Sequence, residues 1–216
     1  MRIVIVGAGG HGQVVADIFR TAGQLGAVIG YADDCEQLVG AELVGVTVIG
    51  PLARLDASAY DAAVVAIGDN RVRAQVIRRL MLSGKSQIVA RHPSAIVAAD
   101  VTVGDGSMIC AGAIVNTGSR IGRGVILNTG CTVDHHCTVA DFAHVAPGVH
   151  MGGEVVVEEL ALIGIGAIIL PRLRVGAGST VGAGAVVTRN VPPGVTVTGR
   201  PARAVLPRAE GARQIA

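Results

Sequence analysis

The amino-acid sequence predicts a small α/β domain followed by a parallel β-helix, and three observations carry that prediction. An aliphatic residue stands at every sixth position from Val97 to Val187, sixteen times in succession. Four residues after each of these comes a small or aliphatic one, including Ser107, Ala113, Cys131, Cys137, Ala161 and Val191. Ahead of this repeat, strand-like runs alternate with helix-like ones.

The elements follow in order. Ile3 to Val6 is a continuous β-branched run, which marks a strand buried on both faces. Gly7-Ala8-Gly9-Gly10-His11-Gly12 follows it, then a helical pattern with Val14, Val15, Ile18 and Phe19. Ala27 to Tyr31 reads as a second strand ending at Asp33-Asp34, and Val46 to Ile49 as a third. Ala63 to Ile67 is a fourth, running through Gly68-Asp69-Asn70 into a helix from Arg71 to Met81. Gln87 to Ala90 is the last. Such alternation builds a doubly wound sheet, on which ligands bind beyond the carboxyl ends of the strands.

The second half follows a different rule. A helical face repeats every 3.6 residues, so a period of six instead marks a coil of short strands and corners. The small residues of the second layer suit a narrow interior. Gly or Ala often follows the first aliphatic, at Gly104, Gly122, Ala140, Gly152, Gly164, Gly176 and Gly182. These positions are expected to form the tight corners, where glycine's freedom is useful. Three segments result: 1–92 as the α/β domain, 93–205 as the β-helix and 206–216 as a tail that breaks the repeat. That tail either caps the open end of the last coil or lies loose.

Composition narrows the functional classes. Half the chain is apolar, yet it holds two Phe, two Tyr and no Trp, which suits a core of stacked aliphatic ladders. A net charge of +2, spread along the chain, indicates no nucleic-acid or membrane surface. No apolar run reaches the length of a membrane span. The first residues turn glycine-rich too soon for a signal peptide. The cysteines, Cys35, Cys110, Cys131 and Cys137, show no CxxC spacing, so a reduced cytoplasmic protein is expected.

Two clusters carry chemistry. Gly7 to Gly12 satisfies a dinucleotide fingerprint, with Asp33 some twenty residues on, so an NAD-dependent oxidoreductase is one reading. A glycine turn opening a helix binds phosphate generally, and this Rossmann-like unit is about half a full dinucleotide fold, so phosphate or nucleotide binding is the preferred one. Four of the six histidines, His135, His136, His144 and His150, fall within sixteen residues. With Leu127, Cys131, Val133 and Cys137 inward, Asn128, Asp134, His135 and His136 belong outside or at corners. A neutral imidazole is a natural general base near neutral pH, which singles out His135. A zinc site is the rival reading. His135 and His136 are adjacent, however, so their side chains should diverge, and no short ligand spacing occurs; no metal is expected.

Taken together and in order, five segments resemble the hexapeptide-class bacterial sugar acetyltransferases of the PglD and NeuD type. They are Gly7–Gly12, Asp33-Asp34, Ala66–Asn70, Val133–Cys137 with His144, and Gly199-Arg200-Pro201-Ala202. The resemblance implies a left-handed β-helix, a homotrimer with active sites between subunits, acetyl-CoA as donor and an activated sugar as acceptor. It implies His135 as general base, His144 at the thioester end of acetyl-CoA, Asn128 in the same pocket, and Ile165 and Ala183 along the pantetheine arm. Gly9, Gly10, His11, Asp33, Asp34 and Gly68 would hold the nucleotide-sugar. The family carries a carboxylate directly after the catalytic histidine, where this chain has His136; Asp134 is the other neighbour able to tune His135. A UDP-linked 4-amino-4,6-dideoxy sugar is the first acceptor implied, with GDP- and dTDP-linked amino sugars and O-acetylation of a sialic acid as alternatives. A non-catalytic oligomerisation scaffold is the remaining one.

Overall fold

The computed structural model describes residues 1–205. Its N-terminal sheet comprises β1 (Ile3–Val6), β2 (Val28–Ala32), β3 (Glu42–Leu43), β4 (Val46–Gly50), β5 (Ala62–Val65) and β6 (Ser86–Gln87), in the order β3-β4-β2-β1-β5-β6. Only β3 and β4 pair antiparallel. They form a hairpin about Val44 and Gly45, which have φ of 54° and 77°. No turn signal announces it, because Val is a poor turn residue for positive φ. β1 and β5 are adjacent and fully buried. The loops that follow them, 7–9 and 66–69, therefore lie side by side at the carboxyl edge of the sheet. From these loops start α1 (Gly10–Thr21), which buries Val15, Ile18 and Phe19, and α2 (Asn70–Leu82). Asp69 caps α2 by accepting the Arg71 and Val72 N–H groups, each at 2.9 Å.

The repeat forms a parallel β-helix. Each two-residue strand pairs with the strand eighteen residues on, so three strands make one coil and three flat faces stack. The first face runs from Ala90–Arg91, the second from Ile96–Val97 and the third from Thr102–Val103. The aliphatic ladder points inward, buried from Ile109 to Val187, and so does most of the second layer, including Cys131 and Cys137. At its far end, Thr196–Thr198 extends the first face and pairs antiparallel with Arg203–Ala204. The predicted tail, 206–216, lies outside the described residues.

Two expectations need correction. The strand expected over Gln87 to Ala90 is two strands in different sheets. Ser86–Gln87 closes the α/β sheet, whereas Ala90–Arg91 pairs with Met108–Ile109 and opens the first face of the coil. The chain passes from one fold to the other within a few residues, and a continuous apolar run cannot report that switch. The glycines directly after the aliphatic ladder are also not the left-handed corner residues. Those lie two positions further on, at every sixth residue from 106 to 184, nine of them Gly and five not. Gly104 is needed for space instead, since a Cβ there would lie 2.6 Å from the Arg123 backbone nitrogen on the next coil.

The non-glycine corners are informative. Phe142 and Leu160 face the α/β domain, and Phe142 packs in one core with Ile77 of α2. α1 lies over the first face, in a core shared with Ala90, Met108, Cys110 and Ile126. The α/β domain is thus seated on the early coils of the β-helix.

Candidate active site

The sheet's carboxyl edge forms the first part of the site. A cleft of about 300 Å³ is lined by Gly7, Asp33, Asp34, Leu52, Ile67 and Arg79, among others. Asp33 is committed to the loop itself. Its Oδ2 accepts the Ala8 N–H at 2.7 Å and its Oδ1 the Cys35 N–H at 2.9 Å. Asp34 lines the cleft beside it. Gly9 is the N-cap of α1 and offers no side chain, which leaves the first N–H groups of that helix for an anion. A Cβ at Gly9 or Gly10 would meet nothing within 4 Å, whereas one at Gly12 would fall 2.0 Å from the Gly7 carbonyl oxygen. Two glycines keep the helix mouth open and the third lets helix and strand touch.

The second part lies where the α/β domain meets the coil. His144, on the first face, lies beside the Gly68 backbone, and its Nε2 lies 3.2 Å from the Asn128 amide nitrogen. Asn128 Oδ1 accepts the Thr129 N–H at 2.8 Å, so its amide NH₂ is the group facing His144. Nε2 is therefore an acceptor, which puts the hydrogen of the neutral ring on Nδ1. Burial lowers the pKa of His144 to about 4, with further lowering by the charge of Arg73 and by His11. His11 is likewise lowered to about 4, by burial and then by Arg73, and its buried Nε2 has no partner among the described residues. Both imidazoles are neutral at neutral pH. The structure thus brings His11 and Gly68 of one domain to His144 and Asn128 of the other.

Arg73 organises this junction, and sequence reasoning missed it. Its side chain is fully buried, with no carboxylate in ion-pair contact among the described residues. Nε donates to Gly124 O at 2.8 Å, Nη1 to Ile67 O at 2.9 Å, and Nη2 to Asn70 Oδ1 and Phe142 O, both at 2.8 Å. Burial lowers its pKa to about 10. Asn70 adds a second tie, donating to Leu160 O at 3.0 Å and Ala161 O at 3.1 Å. No motif announces Arg73. It is one of four arginines in α2, and only docking shows which one turns inward.

The third part is a different corner of the coil. His135 and His136 are exposed there, beyond the second face. Their side chains, expected to diverge, converge instead: Nδ1 lies 3.2 Å from Nδ1, with the rings edge to face. The cause is the left-handed backbone at His136, φ 56°, which turns it back on its neighbour. Asp134 does not reach the ring. Its Oδ1 accepts the His135 backbone N–H at 2.8 Å and an Asn116 amide hydrogen at 2.9 Å. Gly153, which the sequence did not single out, lies under the ring; a Cβ there would fall 2.4 Å from His135 Cε1.

Ile165 and Ala183 occupy equivalent positions, one coil apart, at the corner between the first and second faces. The left-handed residue of every coil at that corner is glycine, at 112, 130, 148, 166 and 184. Both residues are exposed, and neither backbone N–H has an acceptor among the described residues. A long, low ledge with free amides suits an extended amide-containing arm. Within one chain, the width of the second face separates this ledge from the corner of His135.

The thiols are placed for packing. Burial pushes Cys110 and Cys131 up to about 12 and raises Cys137. Among the described residues no three His, Cys, Asp or Glu side chains converge as a metal site, and no helix is long and apolar enough to cross a membrane.

Residues 2–80 match the family model described as the PglD N-terminal domain. The chain is 34% identical over 144 residues to a GDP-perosamine N-acetyltransferase of Escherichia coli, a match covering 64% of this chain and 65% of that relative, just under two thirds of its length. A histidine mutant of perosamine N-acetyltransferase from Caulobacter crescentus, solved with CoA and GDP-perosamine, superposes with a TM-score of 0.90 at 36% identity, covering 96% of this chain and 98% of that one. The acetyltransferase domain of PglB from Neisseria gonorrhoeae, in complex with acetyl coenzyme A, gives 0.87 at 37% identity, over 94% and 98%. A glycine loop opening α1, an α/β domain docked on a hexapeptide coil and likeness along nearly the whole chain lead to one conclusion: the protein belongs to the PglD-type family of hexapeptide-repeat sugar acetyltransferases.

Proposed function

We propose that the protein transfers the acetyl group of acetyl-CoA to the amino group of a nucleotide-linked 4-amino-4,6-dideoxy sugar, with His135 as general base. The observation that carries this reading is the junction at His144. There the nucleotide-binding half, through His11 and Gly68, meets the coil, through Asn128 and a histidine held neutral. The nucleotide would lie in the cleft beside Asp34, with its phosphates toward Gly9 and Gly10 at the mouth of α1. The pantetheine arm would follow the glycine corner past Ile165 and Ala183.

The chemistry needs a neutral amine. As its nitrogen attacks the thioester carbonyl, His135 Nε2 takes the proton and the CoA thiolate leaves. A positioned base of this kind contributes about 10²–10⁴-fold. Nε2 of His144 is already engaged as an acceptor by Asn128, so the oxyanion falls to a backbone N–H. Cysteines with raised pKa values give no route through an acyl-enzyme.

His135 and the CoA ledge would come together between two copies of the chain. The second face, which separates them, exposes apolar residues toward both ends: Ile96 is 64% exposed with half-buried Ile114 beside it, and Ile168 is 39% exposed with half-buried Val186 beside it, Thr132 and His150 lying between the two pairs. Packing such faces about a threefold axis buries these residues and sets the His135 corner of one copy against the ledge of the next, which favours a homotrimer.

The ligand bound by the relatives' structures makes GDP-perosamine the first acceptor to test, beside the UDP-linked amino sugar. CoA release is expected with one of the two, and His135→Ala is expected to lower kcat at least about 10²-fold with the fold intact. No release with either acceptor, together with no CoA binding by calorimetry, rejects the transferase reading in favour of a scaffold.

A further inference from the structure

One carboxylate at the His135 corner is unexplained by any role above. Asp100 lies two coils below His136 in the corner column 100, 118, 136 and 154, each residue eighteen from the next. Its Oδ2 accepts the Thr117 hydroxyl and the Gly118 N–H, both at 2.8 Å. Gly118, between the two, has φ 72° and no side chain; a Cβ there would fall 2.6 Å from His136 Cδ2 and 2.9 Å from its Nε2. The Cδ2–Nε2 edge of His136 therefore rests on the residue whose amide holds Asp100. The opposite side of the ring, at Nδ1, meets His135 Nδ1 at 3.2 Å.

These contacts order the protons. If His135 is the base, its Nε2 must be bare, so Nδ1 carries hydrogen and donates to His136. His136 Nδ1 is then an acceptor, and its own hydrogen is on Nε2, on the side of Gly118 and Asp100. We propose that His136 and Asp100 are positioning residues for His135: His136 fixes its tautomer through Nδ1, and the Asp100 carboxylate supplies the countercharge when His135 takes the substrate proton. This rests on His135 being the base. One proton moves, from the amine to His135 Nε2, and none leaves His136 or reaches Asp100.

The other charged groups near His136 are accounted for. Asp134 is spent on the His135 backbone N–H and on Asn116. Glu154, one coil above, contributes its backbone N–H to His135 O at 2.9 Å, and its side chain has no hydrogen bond among the described residues. The Thr117 hydroxyl and then the Gly118 amide hold the Asp100 carboxyl below its usual range, with a smaller lowering from His136, so it is ionised at neutral pH.

The test uses Asp100→Asn, which keeps an acceptor for Thr117 and Gly118, with His136→Gln and the control Glu154→Gln. With whichever nucleotide amino sugar turns over, Asp100→Asn is expected to lower kcat about tenfold, leave KM within about twofold and move the acid limb of the kcat/KM profile to lower pH. The double variant is expected to be no worse than His136→Gln alone, because both act through one ring. Imidazole ¹⁵N shifts read the tautomers without any substrate: hydrogen on Nδ1 of His135 and on Nε2 of His136. A wild-type profile for Asp100→Asn, an equal displacement by Glu154→Gln or the reverse tautomers would overturn the proposal. Full turnover by His135→Ala would instead remove the base on which it rests.

Discussion

Replacing Arg73 by Met keeps most of the side-chain stem and removes the guanidinium that ties α2 to the coil. Gly124 O and Phe142 O each lose a donor at 2.8 Å in a fully buried setting. Two orphaned carbonyls cost about 1–3 kcal/mol each, or roughly 2–6 together. The bonds to Ile67 O and Asn70 Oδ1 are lost as well. Against this, the pKa lowered to about 10 shows a charge that the site holds reluctantly. Relieving that desolvation returns roughly 3 kcal/mol. With the additional lost bonds included, the balance is a destabilisation of about 2–4 kcal/mol, concentrated at the junction. Differential scanning calorimetry should show the α/β domain melting ahead of the coil, about 5–15 °C below the wild-type transition. Arg73→Lys should recover little, because one ammonium cannot reach carbonyls on both domains at once. A single transition within about 1 °C of wild type would refute the claim that this guanidinium holds the domains together.

Three further outcomes follow from the same geometry. Gly153→Ala should displace the His135 ring, since the new Cβ would fall 2.4 Å from Cε1; kcat should fall at least about tenfold with an unchanged circular dichroism spectrum, and wild-type turnover would show that the ring's seat is irrelevant. In the folded protein His11 and His144 are lowered to about 4, below the 6.5 of a free imidazole side chain. Below 6.5 the unfolded chain binds protons that the folded one refuses, so stability is full above that pH and declines as pH falls toward 4. Urea midpoints at pH 7, 5.5 and 4.5 should fall in that order, and His144→Gln should shrink the difference. In the native protein a thiol reagent should titrate the exposed Cys35 alone, because Cys110, Cys131 and Cys137 are buried with raised pKa values; two or more fast equivalents would contradict that packing.

Much of the architecture was readable because the β-helix repeats locally. A coil of three short strands demands an inward aliphatic every six residues, and Val97 to Val187 meets that demand at every step. The helix after Gly12 and the strands at Ile3 and Ala63 were readable for a similar reason, since buried parallel strands and amphipathic helices carry their own periods. The corner glycines were misassigned because two different needs select glycine. Gly104 provides clearance from the next coil, while Gly106 supplies the left-handed turn. The residues were named, and Asn128 was already grouped with His144, but the remaining grouping was open. His11 met His144, and His135 met His136 rather than Asp134.

The sequence alone determined that this chain coils, where it coils and that a glycine turn opens its first helix, because each is written within a few consecutive residues. Only the tertiary structure decided which arginine of α2 turns inward, why His144 stays neutral and which groups surround His135. Those answers depend on stacking at eighteen-residue intervals and on docking one domain against another. Burial and a left-handed corner at His136 are set there, by neighbours that are distant in the chain.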